Sequence, residues 1–159
     1  DKSTMYFACG GHTAYACPLN DSTTLSDYCI EFPAATVLKA DTLGDSGLLS
    51  DHKRDIENEQ GILSLSDTLF NEDALVFSNI DCKWVRLRKK NEKKGVIVRF
   101  PNYPHLALWS KPAADYICIE PWLGLPDNEN ESIELIGKSS YKTIKSGGKF
   151  TIAIETEIE

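Results

Sequence analysis

The stretch DYICIEPWLGLPD, Asp115 to Asp127, decides how the chain reads. Alternation along its first half puts Tyr116, Cys118 and Glu120 on one face of a strand, and Ile117 and Ile119 on the other. The isoleucines belong against an apolar layer. Glu120 then looks into a different space, shared with an aromatic ring and a small thiol. Pro121, which has no N–H to give, is expected to end ladder pairing, and Trp122 adds a large flat surface beside it. A carboxylate next to aromatic rings can hold a sugar, the rings covering C–H faces while the acid takes hydroxyl protons. Partial desolvation there raises its pKa toward the range of a useful base. The other reading is a strand-end Glu paired with Lys or Arg.

The same alternation runs through the chain. In KFTIAIETEIE (149–159), Phe150, Ile152, Ile154 and Ile158 share one face and Thr151, Glu155, Glu157 and Glu159 the other, as in a half-buried antiparallel strand. GVIVRF sends Val96, Val98 and Phe100 one way and Ile97 and Arg99 the other. SDYCIEF sets Tyr28, Ile30 and Phe32 against Cys29 and Glu31, and ALVFSNI and WVRLRKK are further short strands. Turns at FPNYP, NEKKG and SGG separate them. Residues 83–99 read as a hairpin whose loop carries Lys89, Lys90, Lys93 and Lys94, a solvated tip rather than a phosphate site. No stretch has sustained helical periodicity. Residues 38–70 are the least regular, with charge at 51–59, and are expected to hold a short helix or long loops. The fold class is all-β, with sheets packed on each other.

Bulk properties narrow the function. A chain of 159 residues can bury a real core. The net charge of -7 argues against a nucleic-acid partner, which needs a basic surface to displace counterions. No run of about 18 apolar residues offers a membrane span. The chain shows no signal peptide, and it begins at Asp1 without an initiator Met, which suggests a processed product or a fragment. The five cysteines (9, 17, 29, 82 and 118) are odd in number and scattered, which fits reduced thiols in a cytoplasmic protein. Cys9 and Cys17 flank His12, but no fourth ligand stands at zinc-like spacing, so no metal is expected there.

Candidate chemistry gathers in four places. In MYFACGGHTAYACPL, a strand from Met5 to Cys9 leads into Gly10-Gly11, where the backbone can bend or approach closely, and His12 follows at once. His12 is placed either as a proton donor or as a hydrogen-bonded turn residue. His52 and His105 read as surface or loop residues. Asp73, just ahead of an apolar strand, is a turn former or a ligand for a hydroxyl. Trp109 and Lys111 precede the Glu120 strand and are either sugar contacts or, respectively, a core residue and a partner for an acid.

Taken in order, YFACGGHTAYACPL, DYCIEF, LFNEDALVF and FPNYPHLALWSKPAADYICIEPWLGLPD resemble the aldose 1-epimerase (galactose mutarotase) family, in particular its LacX-type branch. The resemblance covers nearly the whole chain and corresponds to the C-terminal half of family members. It implies a β-supersandwich, with the N-terminal half either absent or supplied as a separate chain. It also implies interconversion of the α- and β-anomers of a free hexose or related sugar by acid/base ring opening, with no cofactor. The resemblance assigns Glu120 as base, His12 as acid, Asp73 as a holder of sugar hydroxyls, and Trp109 and Lys111 as pocket-lining residues. Thr13, Ala16 and the GLPD ending depart from the family pattern, which bears on substrate fit more than on mechanism. The other functions it leaves open are a non-catalytic carbohydrate-binding or sensor protein and a hexose-6-phosphate epimerase.

Overall fold

A computed structural model describes residues 3–33, 38–44, 46–131 and 134–159. Thirteen strands are described: β1 (Met5–Phe7), β2 (Thr13–Ala16), β3 (Tyr28–Glu31), β4 (Leu38–Leu43), β5 (Leu49–Ile56), β6 (Ile62–Ser64), β7 (Leu75–Phe77), β8 (Trp84–Lys89), β9 (Gly95–Arg99), β10 (His105–Trp109), β11 (Tyr116–Trp122), β12 (Lys142–Ile144) and β13 (Glu155–Ile158). The helical content among the described residues is one 3-10 turn, Leu25–Asp27, closed by a reciprocal capping box between Thr24 and Asp27. None of these elements is a helix long and apolar enough to cross a membrane.

The strands form a six-stranded sheet ordered β2-β11-β10-β7-β4-β5, a five-stranded sheet ordered β13-β9-β8-β3-β6, and a ribbon of β1 with β12. Pairing within them is antiparallel. The apolar layer between the two large sheets is built as alternation requires. Leu106, Leu108, Ile117, Ile119, Leu75 and Phe77 face it from one side, and Tyr28, Ile30, Phe32, Val85, Leu87, Val98 and Phe100 from the other. Each large apolar side chain so buried is worth about 1.5–3 kcal/mol over exposure.

Three expectations need correction. The segment 38–70 holds no described helix; it contains the β4–β5 hairpin and β6. Pro121 does not end the ladder, for β11 continues to Trp122, with Pro121 opposite Leu106 and its carbonyl accepting from the Gly11 N–H at 3.0 Å. Strand pairing in 149–159 starts only at Glu155, and Ile158 is 83% exposed, so only Ile152 and Ile154 pack on the core. The hairpin expected at 83–99 is β8 paired with β9, with residues 90–94 exposed at its tip. All five cysteines are free thiols.

Leu108→Ala, in the layer between sheets, is expected to cost about 2–5 kcal/mol in urea unfolding. Glu155→Ala on the exposed edge strand β13 should cost less than about 0.5 kcal/mol. Equal costs at the two positions would refute this placement of the core.

Candidate active site

The other face of the six-stranded sheet carries the polar chemistry. Antiparallel register lines up one residue from each strand in a row: Glu120 opposite Ala107, Ala107 opposite Val76, Val76 opposite Asp41, and Asp41 opposite Lys53. His12 stands one residue before Thr13, which pairs with Ile119, and so continues this row next to Glu120. The His12 Nδ1 lies 3.1 Å from Glu120 Oε1. Two groups 108 positions apart in the chain therefore meet because their strands are neighbours.

The Gly10-Gly11 pair makes this approach possible. Gly10 bridges to Trp122, and a Cβ at Gly10 would lie only 2.7 Å from Trp122 Cδ1 and 3.1 Å from the Pro121 carbonyl oxygen. The chain thus runs flush against β11 just before His12, with the Leu123 N–H donating to the Cys9 carbonyl at 2.8 Å. The two partners differ in freedom. The Glu120 side chain is 5% exposed, whereas that of His12 is 66% exposed. Trp122 Nε1–H donates to the second carboxylate oxygen, Oε2, at 3.2 Å and fixes the Glu120 rotamer.

Burial pushes the Glu120 carboxyl above its ordinary value, opposed by the charge of His12 and by the Trp122 hydrogen bond. Cys118, two residues earlier on the same face, is pushed up to about 11 by burial and by the Glu120 charge. An open cavity of about 390 Å³ lies beside these groups, lined among others by Cys9, His12, Glu120, Trp122 and Leu125. Its size falls in the range of small-ligand clefts, roughly 300–1,000 Å³. A larger cleft, about 730 Å³, opens between β5 and β6 around Arg54, Glu57, Asn58 and Leu63, but it contains no imidazole facing a carboxylate.

Trp109 joins the site, its ring edge-on to the His12 imidazole at 6.4 Å between centroids and tilted against Tyr116 at 6.1 Å. Lys111 is exposed in the turn between β10 and β11. Asp73 is exposed before β7, with a left-handed φ of 81° and its Oδ1 accepting from the Ala74 N–H at 2.7 Å. No hydrogen bond or ion pair between either of them and His12 or Glu120 is found among the described residues. His105 is not a surface residue. It is 5% exposed on β10, its Nδ1 accepts from the Asn79 N–H at 3.0 Å, and burial pushes its pKa down to about 4, leaving it neutral. His52 lies exposed on β5, as expected. Trp122 is the residue underread from sequence: its parity with Glu120 along the strand already put both on one face.

A carboxyl raised by burial stabilises the fold below its unfolded pKa and loses that contribution as pH rises through the folded value. Glu120→Gln is therefore expected to be more stable than the parent at pH 8, with the gap closing below about pH 4, near the ordinary glutamate pKa. Urea midpoints at the two pH values check this, and a gap independent of pH would contradict it.

No family model matches the chain. It is 32% identical over 136 residues to both the plasmid and the chromosomal protein LacX of Lactococcus lactis subsp. lactis, a match spanning 82% of this chain and 44% of each relative. Its fold is that of a galactose mutarotase related enzyme from Lactobacillus acidophilus, with TM-score 0.86 and 26% identity over 99% of this chain and 53% of that one. A galactose mutarotase-like protein from Lactobacillus casei superposes equally well, at TM-score 0.86 and 24% identity, covering 100% of this chain and 55% of the other. The chain thus spans about half the length of the proteins it matches. The β-sandwich, the likeness to the LacX proteins and the likeness to galactose mutarotase-like structures together support an aldose 1-epimerase-like family for this chain.

Proposed function

We propose that this chain carries the acid/base pair of an aldose 1-epimerase that interconverts the anomers of a free hexose or related sugar. The observation that carries the reading is the 3.1 Å approach of His12 to a buried, Trp-held carboxylate beside a ligand-sized cavity. Ring opening needs a base for the anomeric O1 hydroxyl and an acid for the ring oxygen. Glu120 takes the O1 proton as the C1–O5 bond breaks, and protonated His12 delivers a proton to O5. The free aldehyde rotates about C1–C2, and closure on the other face returns both protons. Glu120 is held fast while His12 is exposed enough to swing off the carboxylate and let a ring oxygen take its place. Trp109, against the imidazole, offers a flat surface for the C–H side of the ring. Asp73 and Lys111 keep their proposed roles as sugar contacts only if the bound ring extends toward their end of the sheet.

A free sugar fits better than a phosphorylated one, since the described cavity lining contains no Lys or Arg to meet a phosphate. The exposure of His12 supports a second element of the reading: the N-terminal half, in the same chain or a separate one, closes over the site and completes the pocket. On that reading the paired halves turn over sugar and this half alone does not, a comparison that expression of each form checks directly. Cytoplasmic residence is the compartment we infer from five unpaired thiols.

Glu120→Gln in the intact protein is expected to slow mutarotation of freshly dissolved α-glucose or α-galactose by ~10²-fold or more with the fold unchanged. Polarimetry or exchange NMR reads the rate, and a near-normal value removes Glu120 as the base. Sugar binding without acceleration by the parent protein points instead to a carbohydrate sensor.

A further inference from the structure

We propose that His12, Cys118 and Glu120 form a binding site for a divalent metal ion of the zinc class, which sequence spacing alone did not suggest. A ring nitrogen of His12, the Cys118 Sγ and a Glu120 carboxylate oxygen all lie within 4.8 Å of one another. Nitrogen, thiolate sulfur and carboxylate oxygen are the three donor types zinc accepts, at about 2.0–2.3 Å, which puts neighbouring ligands of a tetrahedral ion roughly 3.5 Å apart. The closure needed is therefore small, and it falls on the ligand best able to move: His12 is exposed, whereas Cys118 and Glu120 are fixed on one strand and buried. The flanking cysteines of the sequence, Cys9 and Cys17, are not among these mutually close donors, and Cys17 is fully buried in the layer between sheets.

Three further observations favour a cation in this place. Among the described residues no Lys or Arg lies within ion-pair distance of Glu120, whose one such partner is His12. The carboxylate's second oxygen already accepts a hydrogen bond from Trp122, the kind of outer contact that orients a ligating group. The adjoining cavity leaves the fourth coordination position open to water or to a hydroxyl. On binding, the thiol proton passes to solvent and the sulfur ligates as thiolate. On the sugar reading above, such an ion occupies both halves of the acid/base pair at once, so it competes with substrate as an inhibitor and is no cofactor.

Cobalt is the probe, because its thiolate complexes absorb in the near ultraviolet. Titration of the metal-free protein with Co²⁺ is expected to give one equivalent of a thiolate-to-cobalt charge-transfer band that added Zn²⁺ abolishes. Cys118→Ala should remove the band, while Cys9→Ala leaves it intact. His12→Ala, at an exposed side chain that no core packing depends on, should weaken Co²⁺ binding by at least about tenfold. Absence of the band, its survival in Cys118→Ala, or full affinity in folded His12→Ala would each overturn the proposal. None of these readings requires sugar turnover, so the metal site and the mutarotase assignment stand or fall separately.

Discussion

The contact between His12 and Glu120 depends on one constraint: only one face of β11 packs into the layer between the sheets. Ile117 and Ile119 anchor that strand to the inter-sheet layer, and because side chains alternate, Cys118, Glu120 and Trp122 are turned the other way. A register slip of one residue would bury the carboxylate among leucines and present the isoleucines to the cavity. The hydrophobic layer therefore holds the Glu120 carboxylate in place. Its neighbour in space, His12, is set by the same ladder through the pairing of Ile119 with Thr13.

The two halves of the pair are prepared differently. Glu120 is buried, with burial raising its pKa and the His12 charge and the Trp122 indole N–H restraining the rise. That combination keeps a carboxyl basic enough to accept a proton and prevents it from rotating away. His12 follows two glycines that press the backbone against Trp122 and Pro121, so its main chain is fixed while its ring remains in solvent. For the proposed epimerase, a buried base beside an exposed acid suits a reaction in which a sugar must enter between them.

Much of this was legible in the sequence because it is a matter of parity. Period-two alternation identified the faces of the Tyr28, Val96 and Tyr116 strands, but with Pro121 read as the strand end it was not carried on to Trp122, whose parity with Glu120 underlies the indole hydrogen bond. Where the reading failed, the physical signal was missing or shared. In β5 the two buried residues, Leu49 and Ile56, are an odd number of positions apart, so no alternation marks the strand; its charges are the solvated side of a sheet edge. In 149–159 the pattern was present, but alternation tells which residues share a face and cannot tell whether anything covers it. His105 was misjudged because burial of a neutral imidazole is decided by a backbone partner on another loop, Asn79, 26 residues away. Pro121 was misjudged because the carbonyl of a proline still serves the ladder when its nitrogen cannot.

Matching proteins are about twice as long as this chain, and both members of the proposed acid/base pair, His12 and Glu120, lie within the part described here. The most direct measurement is a crystal structure of the intact protein with an aldopyranose bound. The anomeric hydroxyl is expected within hydrogen-bond distance of Glu120, and the ring oxygen facing a His12 that has moved off the carboxylate. A sugar seated in the β5–β6 cleft, or one touching Glu120 while its ring oxygen points away from His12, would contradict it.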